Sequence, residues 1–276
     1  MHWLARATVR WIALAAAAAL SACATPAERF DRRAATLGFT SIVLHGEGFL
    51  HHSYAAQEGS VKDTLRVYIE HDGTPWTSID VVARDPTPRT PYALELMAKE
   101  SGPRLLLGRP CYFHTTAALP CSPLFWTHAR YSSAVVTSMV AALRRYLDLH
   151  AYKSVVLVGY SGGGTLAWLM ASRIPETVGL VTIAANLDID RWTHLHGYTP
   201  LAGSLNPASS PPLPPHIIER HYTGGRDANV PPAVAHAFAS RHPRASIIEI
   251  ADVDHSCCWV ERWPLLSSDK ELAPRQ

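Results

Sequence analysis

Gly159-Tyr160-Ser161-Gly162-Gly163 stands between an apolar, β-branched run, Ser154-Val155-Val156-Leu157-Val158, and a helix-forming run, Thr165-Leu166-Ala167-Trp168-Leu169-Met170-Ala171. Strand, sharp turn and helix in direct succession is the context that turns a G-x-S-x-G string into a nucleophile elbow. Such a turn holds the serine backbone in a strained conformation, and glycines at 159 and 163 remove Cβ atoms that would clash with it. Ser161 is therefore the candidate nucleophile, its hydroxyl projecting into a cleft. The plainer reading is a glycine-rich turn in which Ser161 only caps the helix that follows.

A serine hydroxyl is a weak nucleophile at neutral pH and needs a histidine base oriented by a carboxylate. Both follow in the chain. After Ile217-Ile218 and His221-Tyr222-Thr223 comes Gly224-Gly225-Arg226-Asp227-Ala228-Asn229-Val230-Pro231, a turn that places Asp227 beyond a strand. Ala245 to Ala251 forms the next strand candidate, and Asp252-Val253-Asp254-His255 leaves its end. Asp227 and His255 thus fall on the same sheet edge as Ser161, where catalytic groups converge in open α/β sheets. Asp252 and Asp254 compete for the acid role but lie too near His255 in sequence to approach its far ring nitrogen. Gly-Gly-Arg-Asp is also good turn chemistry by itself. Earlier, Leu65-Arg66-Val67-Tyr68-Ile69 alternates as a half-buried strand and runs into Glu70-His71-Asp72-Gly73.

In this order, His71-Asp72-Gly73, the pentapeptide 159–163, Asp227 and His255 resemble the α/β-hydrolase superfamily. Val67 to Gly73, with Asp85-Pro86-Thr87-Pro88-Arg89-Thr90-Pro91 and Arg109-Pro110-Cys111, resembles more narrowly a group of poorly characterised bacterial hydrolase lipoproteins. The resemblance implies an α/β fold with a mostly parallel central sheet flanked by helices and a small lid or insertion between strands 6 and 7. It implies a catalytic triad of Ser161, His255 and Asp227. The implied oxyanion hole consists of the backbone amides of Gly162 and Asp72, with Leu44-His45-Gly46-Glu47-Gly48 as a rival for the second donor. His71 stands where a small residue is usual. The implied activity is hydrolysis of a small carboxylic ester through an acyl-enzyme. Thioester hydrolysis or acyl transfer by the same triad, or a catalytically silent binding lipoprotein, are the alternatives. No cofactor is expected.

The N-terminus is consistent with that group. Arg6 and Arg10 precede an apolar stretch, Trp11 to Leu20, that is too short to span a bilayer and ends in Leu20-Ser21-Ala22-Cys23. Residues 1–22 are read as a lipoprotein signal peptide, Cys23 as the lipidated residue and 23–276 as one hydrolase domain. A plain secretory signal or a retained anchor is the alternative. Export to the bacterial envelope follows, with the lipid in the outer membrane and the domain facing the periplasm. In that oxidising compartment Cys111 and Cys121 are close enough in sequence to close a short loop. Cys257 and Cys258 could pair with each other, pair elsewhere or remain thiols. Fifteen histidines notwithstanding, no Cys-x-x-Cys or His-x-x-x-His spacing occurs, and no metal site is expected.

A net charge of +2 with 17% charged residues argues against a nucleic-acid partner, and 47% hydrophobic residues suit a full core. Strands are expected near 40–46, 64–70, 104–109, 154–159, 179–185, 216–223 and 245–251, and helices near 91–101, 132–149, 163–174, 231–241 and 257–266. Residues 187–215, rich in Pro, Ser, Gly and Leu, occupy the lid position; a solvated loop is the alternative. Trp259 and Trp263, four apart, read as a helix face packed on the sheet rather than a substrate clamp.

Overall fold

Alternation along the central strand decides the layering. In β7 (Ser154–Tyr160) Val155 and Leu157 belong to one buried cluster, whereas Val156 and Val158 belong to another, so the strand is covered on both faces. The computed structural model describes residues 24–56 and 63–267. The eight-stranded sheet has the order β1 (Phe39–His45), β2 (Leu50–Ala56), β6 (Arg104–Leu106), β3 (Thr64–Ile69), β7, β8 (Thr177–Ile183), β9 (Ile218–Gly224) and β10 (Ser246–Ile250). The β1–β2 and β2–β6 pairs are antiparallel and every other pair is parallel. A short hairpin, β4 (Trp76–Ser78) and β5 (Val81–Val82), stands outside the sheet.

Helices α3 (Ser133–His150) and α4 (Gly162–Ala171), with Phe238 of α6 (Pro232–Ala239), cover one face. Helices α1 (Pro26–Thr36), α2 (Tyr92–Ala98) and α7 (Trp259–Leu266) cover the other. Trp259 and Trp263 are fully buried in that second cluster, as a packed helix face requires. α4 is apolar on all sides and every residue in it is buried, which fits a helix wedged between the sheet and its neighbours.

The α/β alternation follows the sequence reading, and β2 and α1 are among the elements added to it. β2 carries few β-branched residues, Leu-His-His-Ser-Tyr-Ala-Ala, and its place is set by pairing with β1 and β6. α1 starts at a capping box in which Thr25 and Glu28 exchange hydrogen bonds, with Pro26 in the first turn. The strand expected over 104–109 ends at Leu106. Residues 187–215 contain a helix, α5 (Ile189–His196), and a 3-10 turn (Pro207–Ser209), and Leu201, Ala208 and Leu213 are buried in the core. The expected signal peptide and Cys23 lie outside the described residues. Among the described residues no helix is long and apolar enough to cross a membrane. Cys111 and Cys121 are bonded, their Cα atoms 5.4 Å apart, and the neighbours Cys257 and Cys258 are bonded to each other.

Candidate active site

Four parallel strands deliver the candidate residues to one edge. β7 ends at Tyr160 and hands the chain to Ser161, whose backbone sits at φ 51° and ψ −122°. A non-glycine residue there carries strain of about 1–3 kcal/mol and persists only where its surroundings enforce it. The Ser161 amide donates to the Ile183 carbonyl at 2.8 Å, and the Gly164 amide donates to the Ser161 carbonyl at 2.9 Å. The elbow also depends on close approach. A Cβ on Gly163 would stand 2.1 Å from the Ile69 carbonyl oxygen, at the end of β3.

Ser161 Oγ lies 3.2 Å from His255 Nε2, and His255 Nδ1 lies 2.7 Å from Asp227 Oδ2. Read as a relay, the serine hydroxyl donates to Nε2 and Nδ1–H donates to the carboxylate. The Asp227 side chain is fully buried, and its other oxygen accepts from the amides of Asn229 and Val230 at 2.9 and 2.7 Å. Those bonds lock the carboxylate's direction. The turn reaches His255 because Gly224 abuts the next loop; a Cβ there would sit 2.5 Å from the Val253 carbonyl oxygen. The Arg226 amide donates to that same carbonyl. The rival acids point elsewhere. Asp252 pairs with Arg262, and Asp254 accepts from the amides of Ser256 and Cys257 in its own turn.

A cavity of about 410 Å³ opens over Ser161, and both Asp72 and Gly162 line it. Among the described residues neither of their amides has an acceptor. The alternative donor segment, 44–48, forms the β1–β2 hairpin, closed by the Gly46 amide on the Phe49 carbonyl, and does not line this cavity. His71 fits this loop. Its Nδ1 accepts from the Gly73 amide at 3.1 Å and its Nε2 donates to the Thr90 carbonyl at 2.9 Å. Burial lowers this imidazole to about 4, so the ring is neutral and one nitrogen can accept.

Charge around Asp72 was not legible from motifs. Its carboxylate accepts from Arg109 at 2.5 Å, Arg130 at 3.0 Å and the Tyr131 hydroxyl at 2.5 Å, while the Tyr112 hydroxyl donates to its backbone carbonyl at 3.0 Å. The Arg109 guanidinium stacks 4.7 Å from the Tyr112 ring centroid. Burial by itself would raise the Asp72 carboxyl, but Arg130 and Arg109 outweigh it and hold the group well below the usual carboxylate range. One signal was present in the sequence: Arg109 closes the apolar stretch Leu105-Leu106-Leu107-Gly108, where a charge needs a partner. Beneath the loop, buried Glu70 accepts from the Leu94 and His71 amides at 3.1 and 3.2 Å. Asn186 is a further residue that motif reading missed; it lines the cavity, and its buried Oδ1 has no hydrogen-bond partner.

No protein-family model and no curated protein matches the chain. Solved structures do. An esterase from Pyrococcus furiosus superposes with a TM-score of 0.57 at 14% identity, covering 84% of this chain and 90% of that one. A bacterial membrane phospholipase A gives 0.53 at 14% identity over 95% and 94% of the two chains. An α/β serine hydrolase without lid from Xanthomonas campestris gives 0.52 at 11% identity over 84% and 91%. The fold is that of the α/β-hydrolases. Within an α/β-hydrolase frame, Ser161, Asp227, His255 and the 70–73 loop occupy carboxyl ends of parallel strands, the edge on which this architecture assembles sites. The 187–215 segment contributes Trp192 to the cavity wall.

Proposed function

We propose that the protein is a serine hydrolase that cleaves a carboxylic ester of modest size. The observation that carries the reading is the continuous relay from Asp227 through His255 to a strained Ser161 at the floor of a cavity. In the first half-reaction Ser161 Oγ attacks the ester carbonyl while His255 Nε2 takes its proton. The tetrahedral oxyanion is met by the amides of Gly162 and Asp72, each donor lowering the barrier by about 3 kcal/mol. His255 returns the proton to the departing alcohol and then activates water against the acyl-enzyme. Asp227 fixes the ring and stabilises its charged form. Asn186 lines the same cavity.

An ester rather than a long polypeptide suits a cavity of about 410 Å³, within the range of small-molecule sites. Neighbours of the same fold include an esterase and a membrane phospholipase, which is compatible with ester chemistry. A thioester or a transferred acyl group would use the same atoms, and a panel of p-nitrophenyl esters, thioesters and anilides separates them. Ser161→Ala is expected to abolish both turnover and labelling by a fluorophosphonate probe. Labelling that survives the substitution would overturn the assignment, and an unlabelled, inactive wild-type protein would leave only a binding role.

The same reading places the protein in the bacterial envelope, tethered by lipid on Cys23 after removal of residues 1–22. Arg6, Arg10, the short apolar stretch and Leu20-Ser21-Ala22-Cys23 support it. Cys23→Ser should abolish incorporation of labelled palmitate and release the protein from the membrane fraction or leave it as precursor. Unchanged membrane attachment without lipid would instead identify the N-terminal segment as a retained anchor.

A further inference from the structure

Three segments far apart in the chain bring metal-ligating atoms together on the face opposite α3 and α4. Asp31 comes from α1, His52 from β2 and His114 from the short turn Phe113–Thr115 within the loop closed by Cys111 and Cys121. One ligand atom from each lies within 4.8 Å of the others. Asp31 Oδ1 is 3.2 Å from His52 Nε2, and Asp31 Oδ2 is 2.5 Å from His114 Nε2. Ligand atoms around a tetrahedral zinc ion, at about 2.0–2.1 Å from the metal, stand roughly 3.3 Å apart. Moving Asp31 and His114 apart by under an ångström brings that pair to this spacing, and the two histidine nitrogens already lie within 4.8 Å of each other.

The surroundings favour a cation over a bare hydrogen-bonded cluster. Rings of Phe30, Tyr54 and Phe113 pack against one another and against His52, which makes a low-dielectric wall on one side. The Tyr54 hydroxyl donates to Asp31 Oδ1 at 2.5 Å, an outer partner that orients the carboxylate. Ser41 Oγ, 3.0 Å from His52 Nε2, gives up that contact when the nitrogen takes the ion. His52 is buried, while His114 is exposed enough to admit an ion from solvent. Short-motif spacing was blind to this grouping, since 21 and 83 residues separate Asp31 from its two histidines.

We propose that Asp31, His52 and His114 bind one zinc-class divalent transition-metal ion, with water completing the shell. The ion fastens α1 to the sheet and to the 111–121 loop. Each imidazole coordinates through Nε2 and carries its proton on Nδ1; Asp31 supplies the negative charge. The role is structural. It is independent of Ser161 chemistry.

The test uses the full-length protein in detergent, stripped by chelator and titrated with zinc chloride. Calorimetry should show saturable uptake of about one equivalent, and hydrogen exchange across residues 26–36 should slow when zinc is added. His114→Ala and Asp31→Asn should each weaken uptake by at least about 10-fold, the loss that even outer-shell partners produce. X-ray absorption of the zinc-loaded wild-type protein should resolve two imidazoles in the metal's first shell, which tests the site without any variant. Absence of saturable uptake, equal uptake by both variants, or a shell with fewer than two imidazoles would overturn the site. Uptake that leaves exchange in 26–36 unchanged would overturn the fastening role.

Discussion

On one side of Ser161 a carboxylate, Asp227, is buried against one imidazole and two backbone amides; on the other, Asp72 is half-buried against two guanidinium groups and a phenol. Among the described residues no Lys or Arg pairs with Asp227, so its bond to His255 is directional: it fixes a ring. The loop side is over-determined in charge. Arg109 and Arg130 between them balance Asp72 and leave a net positive surrounding for the loop that lines the cavity. Such a field favours an oxyanion and also holds the loop in place. The two sides should therefore fail in different ways when a single atom is exchanged.

Asp227→Asn is expected to give the largest effect, a fall in kcat of about 10⁴-fold, because an amide no longer selects the tautomer or stabilises the imidazolium. Melting should change little, since an asparagine oxygen can still accept from Asn229 and Val230. Hydrolysis rates and thermal unfolding measured on the same preparation check both halves. A near-normal rate, with Asp254→Asn inactive, would transfer the acid role to Asp254.

Asp72→Asn should behave in the opposite sense. It leaves two buried guanidinium groups facing a neutral amide, and breaking a buried pair in this way costs about 3–5 kcal/mol. The backbone N–H assigned to the oxyanion remains, so kcat at a temperature where the variant is folded should fall far less than for Asp227→Asn. Urea unfolding and kcat at low temperature separate the two. Equal stability with a collapsed rate would mean that the carboxylate itself acts on the substrate.

The same contrast explains what could be read in advance. Ser161, Asp227 and His255 each follow a strand within five residues or fewer, so local pattern and chain order point to them. The cage around Asp72 joins partners 37, 58 and 59 residues away, and no periodicity reveals a pair that meets only in space. β2 failed for a related reason. Its His51 bonds the Gly108 carbonyl and Ser138, and its His52 faces Asp31, so its residues answer to distant partners rather than to strand propensity. Over residues 187–215 composition marks a loop but not the Asp188 side chain that caps α5 at the Arg191 amide.

The contrast that best tests how the loop side is held concerns Glu70 at its base. Burial pushes this carboxyl up to about 8, against the Leu94, His71 and Ala93 amides that pull it down. Below its unfolded value near 4.5, both states hold the proton and the group has no influence on stability. Between 4.5 and about 8 the unfolded chain releases the proton while the fold retains it, so stability falls as pH rises through that window and levels off above it. Glu70→Gln removes the titration and keeps an acceptor for one amide. The variant should therefore gain on the wild type by an amount on the order of a few kcal/mol between pH 4 and pH 9. Because His71 and every other group titrate in both proteins, the difference between their unfolding curves isolates Glu70. A flat difference would mean that the three amides keep the carboxylate ionised, and the loop side would then rest on fixed charge at both Glu70 and Asp72.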